Sequence, residues 1–315
     1  MMRLGKSPGE ILLCLVALIG LIFWARCHKQ EGAAPACDLD RLADTLAAIV
    51  EEYPGEIGVA VITGEGDTVA VNDYNKYPMM SVFKLHQALA VCRDFDLRGI
   101  SLDTAVTVRR ADLDPDTWGP MLKEHGGDEF SVTVRELLRY TLAQSDNNAS
   151  NLMFGRLVGV GQTDSVTATI IPRESFRIAY SEAEMSADHD RAYANTTSPS
   201  GAAVLINRLY TDSLVSADKQ AFIAETLREC RTGADRIAAP LAGIEGVTVG
   251  HKTGSGYING DGELVAHNDV AYITLPGGRS YALAVFVKDF RGDEKEAARA
   301  IARISAAVYA VLSRK

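Results

Sequence analysis

Apolar positions recur at helical spacing from Asp38 to Glu52, where Leu39, Leu42, Leu46 and Ile49 share one face before Pro54-Gly55 stops the run. The pattern then changes to short strand-like runs, Ile57 to Ile62 and Thr68 to Val71, joined through Gly64-Glu65-Gly66-Asp67, which predicts a β-hairpin. From Val82 to Cys92 it turns helical again. In the middle of the chain, Thr133 and Glu136 form a capping-box signature ahead of Leu137, Leu138, Tyr140 and Leu142, and the helix they open should end near Ser145. Ser198-Pro199 marks another helix start, and a third lies near Ser216. Late in the chain, Val247 to Thr253, Asp269 to Leu275 and Tyr281 to Val287 read as strands of an antiparallel meander. Ala297, Ile301, Ile304, Ala307 and Val308 then predict a closing helix over Glu294 to Leu312 that lies on the sheet. Strands at both ends with helices between predict an α/β (α+β) protein with an antiparallel sheet flanked by helices. One lobe is built from about residues 37–77 and 213–315, and an all-helical lobe is inserted over about 78–212.

The N-terminus follows another rule. Arg3 and Lys6 precede an unbroken apolar stretch from Ile11 to Trp24, followed by Arg26, His28 and Lys29. This is the pattern of an export signal. As a helix the stretch would span about 21 Å, short of a bilayer core of about 30 Å, so it reads as a leader rather than a permanent anchor. Ala34-Pro35-Ala36 offers small residues for cleavage, which gives a signal peptide over 1–36 and a mature chain over 37–315, periplasmic or secreted. Neither Cys14 nor Cys27 follows a lipobox.

The 315 residues carry a formal charge of -9 and 47% hydrophobic content, enough apolar material for one large domain or two closely packed lobes. Without a basic run, the balance argues against nucleic acid or an anionic membrane surface as partner. A monomer acting on small molecules, with no cofactor and no metal, is the expectation. Two of the five cysteines, Cys92 and Cys230, fall well inside the mature part. Spacing alone leaves a disulfide open, and the simpler reading is two small buried hydrophobes.

Ser81-Val82-Phe83-Lys84 places a hydroxyl and an amine three residues apart at a predicted helix start, on one face. A serine hydroxyl is inert at neutral pH until a base takes its proton, and backbone N–H groups at a helix start can receive a developing oxyanion. The motif alone is weak, because a capping serine followed by a solvated lysine has the same spacing. Order and company strengthen it. Ser145-Asp146-Asn147 follows directly after a helix end, and Lys252-Thr253-Gly254 comes later on a predicted strand.

With these three motifs in this order, the mature chain resembles a class A serine β-lactamase, with the serine β-lactamase/transpeptidase-like fold. The resemblance implies a carboxylate in a loop between the second and third motifs, and Glu182 occupies that place in Ser181-Glu182-Ala183-Glu184-Met185-Ser186. The match to the family's E-x-x-L-N pattern is partial: Met185 replaces leucine and Ser186 replaces asparagine. Together with Thr117-Trp118 and Thr232-Gly233-Ala234-Asp235-Arg236, this variant resembles the PER-type and CfxA-type branch.

The resemblance implies hydrolysis of the β-lactam ring of penicillins and cephalosporins, and hence antibiotic resistance, through an acyl-enzyme. Ser81, Lys84, Ser145 and Glu182 would be catalytic. The backbone N–H groups of Ser81 and Ser255 would form the oxyanion hole, Asn147 would hold the substrate's amide side chain, and Lys252, Thr253, Ser255 and Arg236 would face its carboxylate. Trp118 would flank the cleft mouth, though a loop tryptophan is as often simple packing. Ser186 would help to position water. Alanine after Glu182 predicts a trans peptide there, since a cis bond before a non-proline residue costs about 3 kcal/mol.

Other patterns carry less. Gly254-Ser255-Gly256 and Gly260 sit on a strand without the following helix of a phosphate loop, and Asp188-His189-Asp190 has no zinc-spaced partners. The rival activities are a penicillin-binding protein, which Glu182 disfavours, a serine-dependent glutaminase, which the leader disfavours, and a β-lactam sensor, which would adjoin a membrane-spanning segment.

Overall fold

The computed structural model describes residues 39–73 and 76–314. The stretch expected to be a leader, its expected cleavage region, Cys14, Cys27 and Cys37 lie outside the described residues.

Helix α1 (Leu39–Glu51) buries Leu42, Leu46, Ile49 and Val50, the stripe that its spacing predicts. Strands β1 (Glu56–Thr63) and β2 (Thr68–Val71) form the hairpin, whose turn is held by the Asp67 N–H donating to Thr63 Oγ1 at 3.1 Å. After β3 (Tyr77–Pro78) and a single 3-10 turn over Met80–Val82 comes α2 (Phe83–Arg98), ended by Gly99 in the left-handed region at φ 63°. It is buried on nearly every side from Phe83 to Cys92, polar Lys84, His86 and Gln87 included, which makes it the axis of the helical region.

Next come β4 (Ala105–Arg109), α3 (Pro120–Glu124), β5 (Glu129–Thr133), α4 (Val134–Ala143), α5 (Asn147–Arg156), α6 (Val160–Thr167) and β6 (Phe176–Arg177). The Thr133/Glu136 capping box is present at α4, and Asp146 caps α5 through the Ala149 N–H. Strands β4 and β5 pair antiparallel in a stretch whose pattern reads as helix and loop. Val108 and Val132 are their only buried residues, too few for alternation to show. Helix α7 (Glu182–Ala187), strand β7 (Thr196–Thr197), α8 (Pro199–Thr211, capped by Ser198) and α9 (Ala217–Arg228) complete this region. Ser216 precedes α9 as expected, but its hydroxyl binds Asp96 instead of capping the helix.

The meander is β8 (Thr248–Ser255), β9 (Leu264–Thr274) and β10 (Ser280–Phe290), followed by α10 (Glu294–Leu312). The main sheet has the order β2-β1-β10-β9-β8, antiparallel throughout. Both chain ends therefore build it. Helix α8 packs on β1, β9 and β10, α10 on β9 and β10, and α9 between β8 and α4, so the strands are buried nearly continuously. Residues from Asp40 onward form one compact unit. Among the described residues no helix is long and apolar enough to cross a membrane.

Candidate active site

Ser81 stands in the 3-10 turn that feeds α2, directly after Met80, whose φ of 45° bends the chain there. Strand β8 presses against this turn. A Cβ on Gly254 would lie 2.3 Å from Met79 O, so only glycine permits the approach. One turn along, the side chain of Lys84 is fully buried and its ammonium meets four oxygens: Ser81 Oγ at 2.9 Å, Ser145 O at 2.8 Å, Asn147 Oδ1 at 2.6 Å and Glu182 Oε1 at 2.8 Å. Three N–H donors cannot serve four acceptors fully, and Ser81 completes the balance by donating to Glu182 Oε1 at 2.9 Å. Hydroxyl, amine and carboxylate thus close a triangle in which a proton has two places to go from Ser81.

Glu182 is delivered by the first turn of α7. Ser181 and Glu184 cap that helix reciprocally, the Ala183 N–H donates to Asn151 Oδ1 at 3.1 Å, and Met185 is buried. Asn195 ties the loop together by accepting from Ala179 and Tyr180 N–H and donating to Tyr180 O. The Glu182–Ala183 peptide is trans, as its sequence predicts.

Ser145 adopts φ 59°, which turns its carbonyl to Lys84 and its hydroxyl to Lys252. The next residue, Asp146, is fully buried; burial raises its pKa, against the pull of the Ala149 and Met121 N–H groups that it accepts at 2.8 and 2.7 Å. Asn147 is gripped at both ends, its amide nitrogen donating to Thr117 Oγ1 at 2.9 Å.

Lys252 on β8 is fully buried and donates to Ser145 Oγ at 3.0 Å. Its pKa is pushed down to about 7, first by burial and then by the charge on Lys84. Arg236 is buried behind the strand, where it donates to Ser255 Oγ at 2.6 Å and Asn268 O at 2.7 Å, and burial lowers its pKa also. The cleft itself is lined by Met80, Ser81, Trp118, Ser145, Asn147, Glu182, Thr232, Thr253 and Ser255. Lys252 and Arg236 supply positive charge from beneath this wall, and neither lines it.

The family model for the β-lactamase enzyme family matches residues 41–312. The chain belongs to that family. A β-lactamase from Phocaeicola vulgatus is 59% identical over 301 residues, covering 96% of this chain and 93% of the relative. The extended-spectrum β-lactamase PER-1 of Pseudomonas aeruginosa is 35% identical over 269 residues, covering 85% and 86%. Among solved structures, TLA-3 extended-spectrum β-lactamase superposes with a TM-score of 0.84 at 30% identity, covering 87% of this chain and 99% of that one. A class A β-lactamase from Bacteroides cellulosilyticus gives 0.82 at 28% identity, covering 88% and 98%.

Within this β-lactamase architecture, the residues picked from the motifs converge on one cleft or the layer directly beneath it, with one departure. Ser186 is exposed on α7 and is not among the cleft-lining residues. The inward position of that helix is taken by Met185, whose sulfur contacts Asn195. Trp118 is 56% exposed at the cleft mouth, anchored by its indole N–H to Gln144 O. Thr232 lines the cleft and sits 2.5 Å, Oγ1 to Oγ1, from Thr253. Its sequence signal is the Thr-Gly pair four residues ahead of Arg236, with Gly233 at φ 68° packed against Thr253.

Proposed function

We propose that this chain hydrolyses the β-lactam ring of penicillins and cephalosporins through a Ser81 acyl-enzyme, and thereby confers resistance on its host. The observation that carries the reading is the closed contact of Ser81 Oγ with both Lys84 Nζ and Glu182 Oε1. Ser81 Oγ attacks the lactam carbonyl carbon while its proton passes to the Lys84–Glu182 pair. The charge that develops on the carbonyl oxygen is received by the backbone N–H groups of Ser81 and Ser255. As the ring C–N bond breaks, Ser145 protonates the departing nitrogen. Glu182 then takes a proton from a water that attacks the ester, which frees Ser81.

The substrate's carboxylate meets the hydroxyls of Thr232, Thr253 and Ser255, backed by Lys252 and Arg236. Asn147 and Trp118 border its amide side chain. Kinship with PER-1, an extended-spectrum enzyme by name, supports cephalosporins among the substrates. We further infer export to the periplasm or the medium from the leader pattern of the N-terminus, and action as a monomer, because this chain by itself brings nucleophile, base and carboxylate-facing groups to one cleft.

The test is nitrocefin hydrolysis by the purified chain and by Ser81→Ala. Many turnovers per enzyme are expected for the parent. The variant should be slower by several orders of magnitude and form no covalent adduct by intact mass. A parent that reacts once and stays acylated is a sensor, and the hydrolase reading falls.

A further inference from the structure

The segment that leaves α7 is tied to the chain that leaves β8. His189 opens a 3-10 turn over His189–Ala194, directly after α7 and Asp188. Its imidazole lies 4.4 Å, centroid to centroid, from the ring of Tyr257 at a tilt of 32°, and the Tyr257 hydroxyl donates to His189 O at 2.7 Å. Tyr257 stands two residues beyond Ser255, in the connection from β8 to β9, partly buried against the core. Its backbone is fixed there. The Gly256 N–H donates to Ala266 O at 2.8 Å and the Val265 N–H donates to Tyr257 O at 3.0 Å. A Cβ on Gly256 would lie 2.8 Å from Ala266 N, so only glycine lets the chain follow β9 this closely before it turns to the loop. Tyr193, in the same 3-10 turn, makes a second tie by donating to Asp289 Oδ1 at 2.6 Å. Glu182 and Ser255 both line the cleft, so the Tyr257 contact joins the continuations of two cleft-lining segments.

We infer that Tyr257 is a positioning residue for deacylation, a clasp on the loop after α7 that keeps the Glu182 carboxylate in place once Ser81 is acylated. Before acylation, Glu182 Oε1 is held by Ser81 Oγ at 2.9 Å and by Lys84 Nζ at 2.8 Å. The acyl group removes the first of these, because an ester oxygen has no hydrogen to donate. The place of the carboxylate then depends more on the two ends of α7, a helix of six residues. Its start is tied by the Ser181/Glu184 cap and by Asn151, and its end runs into the segment that Tyr257 clasps. Burial, and after it the charges of Asp190 and Asp188, raise the pKa of the phenol, so its hydroxyl stays a donor throughout the neutral range. Tyr257 is not among the cleft-lining residues, and it acts through the loop.

The inference rests on the β-lactam hydrolase reading, but one of its readouts needs no substrate. Parent, Tyr257→Phe, His189→Ala and Tyr257→Ala are compared as full chains with nitrocefin, by stopped flow and by intact mass. In Tyr257→Ala we expect acylation within about threefold of the parent and deacylation slower by at least about tenfold, part of the loss that a 1 Å misplacement brings. kcat and KM should therefore fall together with kcat/KM nearly kept, and acyl-enzyme should accumulate. A merely structural loss would reduce the amount of active enzyme, which lowers kcat and leaves KM where it was. Tyr257→Phe keeps the ring contact and loses the hydrogen bond, and His189→Ala does the reverse, so each should fall between parent and Tyr257→Ala.

Hydrogen exchange reads the clasp directly. The amides of Met185 and Asp188, which donate to Ser181 O and Glu184 O, should exchange at least about tenfold faster in Tyr257→Ala. A parent that never turns over fails the hydrolase reading. A parent that does, with Tyr257→Ala deacylating at the parental rate, overturns this proposal alone, even where the α7 amides exchange faster.

Discussion

Lys252 and Ser145 meet at 3.0 Å, with the ammonium donating to the hydroxyl oxygen, while Lys84 donates to the carbonyl of the same serine. Ser145 is therefore set between two buried lysines, one at its side chain and one at its backbone. Because its Oγ accepts from Lys252, its own O–H hydrogen is left to point elsewhere, which suits a residue that hands a proton to a leaving nitrogen. The arrangement has an electrostatic cost. Two ammonium groups share a small buried volume with the Arg236 guanidinium near by, and the charges of Cys230 and Glu182 pull the pKa of Lys252 part of the way back up.

That cost predicts a pH dependence. The protonated form of Lys252 is the one that attracts an anionic substrate, and its pKa near 7 lies well below the ordinary lysine value. Charge on this group is complete below about 7 and is lost as pH rises through that value, so kcat/KM for an anionic β-lactam should fall along a basic limb centred near 7. A guanidinium stays charged throughout, so Lys252→Arg should lose the limb, whatever its absolute rate. A parent profile that stays flat from about pH 6 to 9 means that Lys252 keeps its proton and that its neighbours compensate fully.

Arg236 acts on substrate through Ser255, since its guanidinium donates to Ser255 Oγ, Asn268 O and, at 3.3 Å, Gly254 O. Arg236→Ala removes a charge-assisted bond of about 1.5–3 kcal/mol, which corresponds to about 10- to 10²-fold in kcat/KM. The loss should appear chiefly in KM. Arg236→Lys keeps the charge but cannot span the three acceptors and should fall between. Unchanged efficiency with several cephalosporins in Arg236→Ala would leave carboxylate capture to Lys252 and the three hydroxyls.

The sequence exposes these residues unequally. Ser81, Lys84, Ser145, Asn147 and Lys252 are legible because their spacing is rigid: three residues along a helical turn, or adjacent positions at the end of a helix and on a strand. The bounds of α10 and the hairpin of β1 and β2 are legible because one-sided burial imprints a clear period. By contrast, β4 and β5 bury a single valine each and leave no period to read. Ser186 stands where the family pattern has asparagine but faces outward, and motif spacing carries no sign that Met185 claims the inward face of α7. The buried pair of His251 and Asp269 is built across β8 and β9, so no local spacing announces it.

Gly254 tests the contact between the third motif and the nucleophile turn. A methyl group in Gly254→Ala would sit 2.3 Å from Met79 O and within 3.2 Å of Met80 and Val82 side-chain atoms. Backbone must move to admit it, at a cost of about 1–3 kcal/mol typical of overpacking. Since the displaced turn carries Ser81, turnover should suffer more than stability. We expect a modest drop in Tm by calorimetry together with at least about 10²-fold lower kcat, as a misplacement near 1 Å produces. A variant with lowered Tm and parental kcat would show that the turn and β8 need not touch this closely.

Glu182 decides whether an acylating protein becomes a hydrolase, because a serine ester on an enzyme persists until a base activates water toward it. Its carboxylate is about one-tenth exposed, with 11% of the side chain accessible, and holds both Lys84 Nζ and the Ser81 hydroxyl through Oε1. Once Ser81 is acylated it can no longer donate, and Oε1 becomes available to a water at the same place. With Ser186 exposed and away from the cleft lining, that water is held first by the Glu182 carboxylate itself. Glu182→Gln keeps the shape, removes the base and leaves Lys84 without its counter-charge. The variant should still react with a cephalosporin but accumulate acyl-enzyme, visible as a persistent mass increase, with steady turnover lower by at least about 10²-fold. Ser186→Ala, by the same geometry, should stay within about twofold of the parent, since it loses an exposed hydroxyl only. Parental turnover in Glu182→Gln without a trapped adduct would assign deacylation to another base, and Glu184, bound into the cap of α7 through Ser181, would be the next residue to replace.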